Sequence, residues 1–278
     1  MRITVCLIAK NEGNYLLEWV AYYRNLGADK IVIYDNKSSD KSVQILKTLS
    51  KHGIIEFHTW NYGVLRSPQI LAYRHAIKRE KNEWILFVDA DEFLVLHDKN
   101  NLHEFLAPFG DDKSISGVSI NWRIFGDSGL KTHDARPIIE RFTKASTHDF
   151  FPNHHVKCIY KTKDLTNKIH MHLCQTKNKL INTDGTDFIN HEIFGLSEII
   201  NHEHAQINHY FGKTIEEYQT KMARGQAACR DSHEMKFCYK LENFHYHNRN
   251  DEIDISAQKY LGALKDEINH LNSIVLGL

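Results

Sequence analysis

The sequence has little cysteine and no excess of charge of either sign. Lysine and arginine together number 35, as do aspartate and glutamate, in a chain of 278 residues. This balance gives no sign of a basic surface, so we expect no nucleic-acid partner. The cysteines are odd in number and never spaced as Cys-x-x-Cys, which argues against a disulfide framework and a structural zinc ribbon. We expect reduced thiols at Cys6, Cys158, Cys174, Cys229 and Cys238.

Long hydrophobic runs are also missing. The apolar run of residues 3–9 is too short for the core of a signal peptide, and Lys10, Asn11 and Glu12 follow it where a cleavage site would need small residues. No other stretch is apolar enough to span a bilayer. These absences predict a cytoplasmic protein.

The residues that are present predict an α/β fold. Hydrophobic residues make up 42% of the chain, which suits one sizeable domain, alone or with an appendage. Short apolar runs alternate with stretches of helical periodicity in the first hundred residues. The predicted strands span residues 3–9, 30–34, 54–58 and 84–88, and the predicted helices span residues 12–26, 43–49 and 68–77. This alternation indicates a mostly parallel sheet with helices on its faces.

An acidic turn follows the last of these strands. Asp89 and Asp91 are separated by one alanine, and Glu92 comes directly after them. Carboxylates this close at the carboxyl edge of a parallel sheet repel each other unless a cation lies between them. Oxygen ligands favour Mg²⁺ or Mn²⁺ over zinc. The alternative is a solvated turn, and in either case we expect an exposed loop.

Seven segments in a fixed order resemble glycosyltransferase family 92, a branch of the Rossmann-like GT-A fold. They lie between residues 5 and 225 and read CLIAKNEGNYLLEWVAYYRNLGADKIVIYDNKSSD, RSPQILAYRHAI, WILFVDADEF, NWRIFGDSG, IERF, KCIY and INHYFGKTIEEYQTKMARG. The resemblance implies a metal-dependent, inverting transfer of a sugar, often galactose, from a UDP-sugar donor to a glycan acceptor. Surface polysaccharide or glycolipid synthesis is the expected setting.

The resemblance also implies roles for individual residues. Asp89 and Asp91 are expected to hold Mn²⁺ or Mg²⁺, with Asp91 as the more direct ligand. Asp35 is expected to meet the base or ribose, although a turn-forming role beside Asn36 is an open alternative. The full set of expected donor contacts is Ala9, Asn11, Glu12, Asp35, Arg66, Asp89, Ala90 and Asp91.

A histidine is expected to complete the metal site. The chain has 19 histidines, and three His-x-His pairs occur, at 170/172, 202/204 and 245/247. Such pairs suggest zinc, but a histidine-rich composition produces them by chance. By the resemblance, we favour His209 as the late histidine of the metal site, with His172 second. A histidine buried in the core is the alternative reading of either.

The catalytic base and the phosphate-binding cations are expected in the second half. Gly126 lies in a glycine-flanked turn, where small residues would admit the donor sugar. An inverting transfer needs a carboxylate near the acceptor hydroxyl. Glu140, Asp127 and Asp149 are candidates; Glu140 is favoured by its order in the chain, and an ion pair with Arg141 or a neighbour is the alternative. Lys157 and Lys213 are candidates to balance the diphosphate or are solvated.

The last part of the chain is predicted to be helical. We expect a catalytic domain over residues 1–225 and a helical extension over residues 226–278. Thr214 and Glu217 resemble the start of a capped helix, and residues 257–275 form an amphipathic pattern. This pattern predicts packing on the catalytic domain or on a second subunit. Peripheral contact with the inner face of a membrane stays open, although the helix lacks a strongly basic face.

Two other functions compete with sugar transfer. The run ILFVDADEF also resembles the nucleophile motif of haloacid dehalogenase-type phosphatases. That motif, however, opens the first strand of its domain, whereas three strand-helix units precede it here, and Phe93 occupies a position where those enzymes carry Thr or Val. The second alternative is an inactive glycan-binding protein that keeps the fold.

Overall fold

The chain folds around one large sheet, seen in a computed structural model that describes residues 1–61, 67–224 and 240–277. The strands are β1 Ile3–Ala9, β2 Lys30–Asp35, β3 Glu56–Thr59, β4 Trp84–Phe87, β5 Glu92–Leu96, β6 Ile115–Ile124, β7 Lys144–Ala145, β8 Val156–Lys161, β9 Lys179–Ile181, β10 Ala205–His209 and β11 Glu252–Ile253. The helices are α1 Leu16–Asn25, α2 Ser42–Lys51, α3 Pro68–Arg79, α4 Leu102–Leu106, α5 Ile138–Arg141, α6 Ile215–Arg224, α7 Leu241–His247 and α8 Leu261–Leu276.

The order of strands across the described sheet is β3-β2-β1-β4-β8-β6-β10-β5, with β9 beside β6. Strands β1 to β4 are parallel. Strand β8 runs antiparallel to both β4 and β6, and β5 runs antiparallel to β10. The prediction of a mostly parallel, Rossmann-like α/β sheet is confirmed. Strands β7 and β11 form a separate two-stranded ladder.

The sequence pattern places most elements within a few residues of the observed ones. Helix α1 begins at Leu16 and not at residue 12, because residues 12–15 form a turn in which the Tyr15 amide donates to the Glu12 carbonyl at 2.8 Å. Strand β2 extends through Asp35, one residue beyond the predicted strand. Pro68 stands in the first turn of α3 as expected.

Two apolar clusters lie on the two faces of the sheet. The larger includes Val5 and Leu7 of β1 with residues of α1, α2 and α8, and the smaller includes Cys6 with residues of α3 and β8. The alternation of side chains along β1 sends neighbouring residues to opposite faces. Cys6, Cys158 and Cys174 are buried free thiols, in line with the expectation, whereas Cys229 and Cys238 lie outside the described residues.

The C-terminal helix packs on the first half of the chain. Leu264 and Leu271 of α8 are buried, and α8 contacts α1 and α2. Arg24 of α1 donates to Glu267 of α8 at 2.7 Å. This part of the predicted extension therefore shares the main core, while its residues 226–239 lie outside the described part and the domain boundary stays a prediction. Among the described helices, none combines the length and the apolar character that a membrane crossing requires.

Candidate active site

The predicted donor residues gather at the carboxyl edge of the parallel strands. Ala9 of β1 is paired with Asp35 of β2, and the Asn36 amide donates to the Ala9 carbonyl at 2.8 Å. Strand β4 lies on the other side of β1, and the Val88 amide donates to the Cys6 carbonyl at 3.2 Å. The acidic turn that follows Val88 is thus brought to the same edge as Asp35, as the topology predicts.

Asp89 is neutralised by the protein itself. Its carboxylate accepts hydrogen bonds from Gln69 Nε2 and from Lys157 Nζ, both at 2.9 Å. Lys157 also pairs with Glu92 at 3.3 Å, and Glu92 in turn accepts the Asp89 amide. Burial lowers the pKa of Lys157, but the charges of Asp89 and Glu92 outweigh burial and hold that pKa well above its usual value. Lys157 is therefore a permanent internal cation and not a solvated one.

Asp91 lies in a different environment, and the expectation of an exposed loop is wrong for it. The residue is buried, since the Tyr210 amide donates to its carbonyl and β10 packs beside it. Its Oδ2 accepts from Lys221 Nζ at 2.7 Å, and its Oδ1 lies 3.7 Å from Nε2 of His209. Burial opposes ionisation, but Lys221 and His209 outweigh it and lower the pKa of Asp91 well below its usual value. The carboxylate is charged at neutral pH.

The chemistry of Asp91 and His209 fits a divalent ion. A carboxylate oxygen and an imidazole nitrogen that face each other suit Mn²⁺. Burial lowers the pKa of His209, which keeps the ring neutral, as a metal ligand must be. No group of three or more histidine, cysteine or acidic side chains able to hold a metal occurs among the described residues. Any further ligands of such an ion would therefore come from outside this set of side chains.

Asp35 has a buried hydrogen-bond acceptor at the same edge of the sheet, beside Ala9. Its Oδ1 is buried without a hydrogen-bond partner, whereas its Oδ2 accepts the Ser38 amide at 3.3 Å. An unpaired buried carboxylate oxygen is costly, which makes it a candidate for a ligand N–H or hydroxyl. The neighbouring Asn11 has a φ of 52°, and its side-chain Oδ1 accepts a hydrogen bond from the Ser39 amide at 2.7 Å. Arg66 lies outside the described residues.

Three cations lie near the site, two of them on helix α6 and one just before it. Lys221 contacts Asp91, and Arg224 pairs with Glu12 and donates to the Lys10 carbonyl at 2.9 Å. Lys213, just before the helix, is buried with a φ of 52°, and its Nζ lies 4.4 Å from the centre of the Tyr15 ring. Burial lowers the pKa of Lys213, although Asp91 and Glu12 oppose that shift.

The start of α6 is fixed by a buried network. The Glu217 amide donates to Thr214 Oγ1 at 3.2 Å, and Glu217 Oε2 accepts the Thr214 amide at 3.1 Å, so the predicted capping box is present. Arg141 of α5 donates to both carboxylate oxygens of Glu217 at 3.0 Å. Tyr15 donates to the same carboxylate at 2.9 Å. These contacts set the position from which Lys221 and Arg224 reach the site.

A ring cluster lies on the other side of His209. Trp122 stacks on His155, with ring centres 4.5 Å apart, and contacts His209 at 4.1 Å and His172 at 5.1 Å. The Nδ1 atoms of His172 and His209 are both buried without a partner. Burial, aided by the charge of Lys157, holds the pKa of His172 well below its usual value. His172 is thus a neutral ring beside the proposed metal ligand, and its place as the second choice for the metal-binding histidine stays a prediction.

The comparisons with known proteins identify the family. The family model "Glycosyltransferase family 92" matches residues 2–226. The chain belongs to glycosyltransferase family 92. This membership removes the haloacid dehalogenase-type phosphatase from consideration.

Plant proteins are among the curated family 92 relatives. One from Ricinus communis is 28% identical over 206 residues, which are 70% of this chain and 36% of that protein. One from Arabidopsis thaliana is 25% identical over 182 residues, 60% of this chain and 31% of that protein. The family 92 chain thus spans about a third of the length of these relatives.

Solved glycosyltransferases show distant likeness. S. aureus TarS is 12% identical, with 99% of this chain and 83% of that chain covered and a TM-score of 0.42. Glucosyl-3-phosphoglycerate synthase from Mycobacterium tuberculosis, solved with Mn²⁺, UDP and phosphoglyceric acid, is 13% identical, with 69% of this chain and 72% of that chain covered and a TM-score of 0.37.

Two of the three candidate bases are bound to other parts of the chain. Glu140 pairs with Lys265 of α8 at 2.6 Å, which is the alternative of an ion pair with a neighbour. Asp127 accepts from Asn248 at 2.9 Å, from Asn250 at 3.2 Å and from the Gly129 amide at 2.8 Å. Asp149 is exposed. The choice among the three stays a prediction.

Gly126 is packed against another part of the chain, whereas a Cβ at Gly129 of the same turn would meet nothing within 4 Å, so the expectation that this turn admits a donor sugar stays a prediction. A Cβ atom at Gly126 would lie 2.2 Å from the Arg249 carbonyl oxygen, so the close approach is made by the C-terminal segment of the chain. Asn248 and Asn250 of the same segment bind the turn through Asp127. The small residue serves the packing of two parts of the chain.

Sequence reasoning missed Lys221, Gln69 and Trp122. Lys221 has one detectable signal, because it lies three residues after Tyr218 and so falls on the buried stripe of α6. A lysine there needs an acidic partner. Gln69 and Trp122 carry no such signal, since a glutamine in the first turn of a helix and a tryptophan in a strand have many ordinary uses.

Proposed function

We propose that this family 92 chain transfers a sugar from a UDP-sugar donor to a glycan acceptor with Mn²⁺ or Mg²⁺ bound by Asp91 and His209. The observation that carries the proposal is the buried pair of Asp91 Oδ1 and His209 Nε2, 3.7 Å apart at the carboxyl edge of the sheet. A divalent ion there would act as a Lewis acid on the leaving diphosphate. Uridine as the base and galactose as the sugar follow from the family resemblance.

The residues of the chain have separable roles in this proposal. Asp35 receives the nucleoside with its unpaired Oδ1, beside the backbone of Ala9 and Asn11. Lys213 and Lys221 lie close enough to Asp91 to balance the charge that develops on the diphosphate. Asp89 shapes the turn from its fixed position and does not compete for the ion. Ala90 and Glu12 stay predicted donor contacts.

The acceptor side is proposed to lie along the ring cluster of Trp122, His155 and His172. Neutral imidazoles both donate and accept hydrogen bonds, which suits the hydroxyl groups of a sugar. Inversion at the anomeric carbon needs a base near the acceptor hydroxyl, and Glu140 remains the proposed residue, with Asp127 second. A polysaccharide or glycolipid acceptor, a cytoplasmic site of action and contact with a membrane surface belong to the same proposal.

A thermal-unfolding experiment tests the donor site without an acceptor. UDP together with Mn²⁺ is expected to stabilise the protein by ~2.7 kcal/mol at a hundred times its dissociation constant. For a chain of this length the melting temperature would rise by roughly 5–10 °C. Asp91→Asn is expected to erase the shift. Asp187→Asn is the matched control, because Asp187 also pairs with a lysine but is exposed.

The outcomes separate the competing functions. A shift of the same size in EDTA would contradict the metal-bridged site, because UDP would then bind without the ion. No shift with any nucleoside diphosphate would favour the inactive glycan-binding protein. Release of UDP from a UDP-sugar in the presence of Mn²⁺ would show turnover, and a screen of donor sugars would then test galactose.

A further inference from the structure

The Lys221 side chain is the cation that contacts Asp91 in this structure. Its Nζ donates to Asp91 Oδ2 at 2.7 Å and to the Phe211 carbonyl at 2.9 Å. The same ammonium lies 4.4 Å from the centre of the Phe211 ring. Only 8% of the Lys221 side chain is exposed. A lysine held by a carboxylate, a carbonyl and an aromatic face is in a site made for a cation.

A divalent ion at Asp91 and His209 would lie beside this ammonium. One oxygen of Asp91 faces His209 and the other faces Lys221, so the two cations would share a single carboxylate. Lys213 adds a third positive group to the surroundings of Asp91. The neighbouring acids Asp89 and Glu92 do not balance these positive charges, because both are paired with Lys157. In a buried site such like charges repel strongly.

A diphosphate would offset this repulsion between the divalent ion and Lys221. Its phosphate oxygens supply negative charge that balances the divalent ion and the lysine. The lysine stem has four rotatable carbons, so the ammonium can leave Asp91 while α6 stays in place. The helix itself is fixed by the Thr214–Glu217 capping box, by Arg141 and by the Arg224–Glu12 pair.

We propose that Lys221 is the resident counter-ion of Asp91 and gives up this carboxylate to the divalent ion only when the donor diphosphate is present to receive the ammonium. The inference rests on the proposed function, because it takes Asp91 and His209 as the metal ligands. It adds that metal binding without nucleotide is weak, and that Lys221 is the residue that makes it weak. The linkage is reciprocal, so UDP also binds more tightly with the metal.

The test is the affinity of the protein for Mn²⁺, measured by calorimetry with and without UDP. Lys221→Met keeps the length of the side chain and removes the charge. We expect it to bind Mn²⁺ at least tenfold more tightly than the wild type when UDP is absent. The gain in Mn²⁺ affinity on adding UDP is expected to shrink at least tenfold. Lys179→Met is the matched control, because it removes a lysine that pairs with Asp187 on the surface.

Each result either supports or overturns the inference. Equal Mn²⁺ affinities of wild type and Lys221→Met without UDP would overturn it, and the proposed function would stand if His209→Ala abolished the binding seen with UDP. Lys221→Gln serves as a second variant if the methionine protein does not fold. The wild type alone is also decisive, because Mn²⁺ affinity that rises less than tenfold with UDP contradicts the inference. Absence of Mn²⁺ binding even with UDP would overturn the proposed function itself.

Discussion

The loss of unfolding free energy on breaking the Arg141–Glu217 pair can be predicted, because this is a buried ion pair that positions α6. The side chains of Arg141 and Glu217 are 1% and 4% exposed. Replacing Arg141 with methionine leaves the Glu217 carboxylate in the same buried place with Tyr15 and Thr214 as its remaining partners. Removing one member of a buried pair costs about 3–5 kcal/mol. For a chain of this length the melting temperature would fall by roughly 5–9 °C.

The same pair predicts how this loss depends on pH. Burial alone would raise the pKa of Glu217, but the guanidinium of Arg141 and the hydroxyl of Thr214 outweigh burial and lower it from 4.5 to about 2. A lowered pKa contributes stability that is complete above the unfolded-state value and is lost as the pH falls toward the folded-state value. The difference in unfolding free energy between wild type and Arg141→Met should therefore be full at pH 7 and shrink from about pH 4.5 downward.

Urea unfolding at pH 7 and at pH 3.5 measures both parts of this prediction. Arg136→Met is the matched control, because Arg136 pairs with Asp134 in the same part of the chain but the two side chains are 52% and 36% exposed. Such an exposed pair contributes little to stability, because solvent screens its charges. A loss below 1 kcal/mol for Arg141→Met at pH 7, or a loss that does not shrink at pH 3.5, would refute the reasoning.

Two further predictions concern the site. His209→Ala should raise the Mn²⁺ concentration for half-maximal UDP release by more than tenfold, since it removes one of two protein ligands, while His172→Ala should change it less; a larger effect of His172→Ala would move the ligand there. Glu140→Gln should lower kcat by ~10²–10⁴ with donor KM nearly unchanged if Glu140 is the base. If steady-state kinetics show no loss of kcat and only stability falls, the Lys265 pair is the whole role of Glu140.

The fold was largely predictable because its signals are local. The strand that ends at Ala9 and the one that ends before Asp89 are continuous apolar runs, and the helices between them show a clear period of 3.6 residues. The common edge of Asp35 and Asp91 follows from parallel topology alone. His209 could be proposed only from its late place in the family pattern, and the structure puts it 3.7 Å from Asp91.

The burial of the site was not predictable, because it depends on contacts between distant parts of the chain. Lys221 reaches Asp91 across 130 positions, and Arg249 reaches Gly126 across more than a hundred. Local periodicity carries no information about such pairs. The acidic turn was therefore expected to be exposed, and the contact of Gly126 with Arg249 was not foreseen. In both cases the missing information was the partner that covers the residue.

The two aspartates of the acidic turn differ in what balances their charge, and under the proposed function this difference favours Asp91 as the metal ligand. Asp89 faces Lys157, which is 1% exposed and shared with Glu92, so displacing that lysine would leave two acids unbalanced. Asp91 faces Lys221, which comes from a separate helix and also interacts with the neutral groups of Phe211. An ion that takes the place of Lys221 leaves one carboxylate satisfied and frees one ammonium for an anionic ligand. We therefore expect unequal roles for the two aspartates under the proposed function, because the lysine that neutralises Asp89 is shared with Glu92, whereas the lysine that neutralises Asp91 can move to a diphosphate.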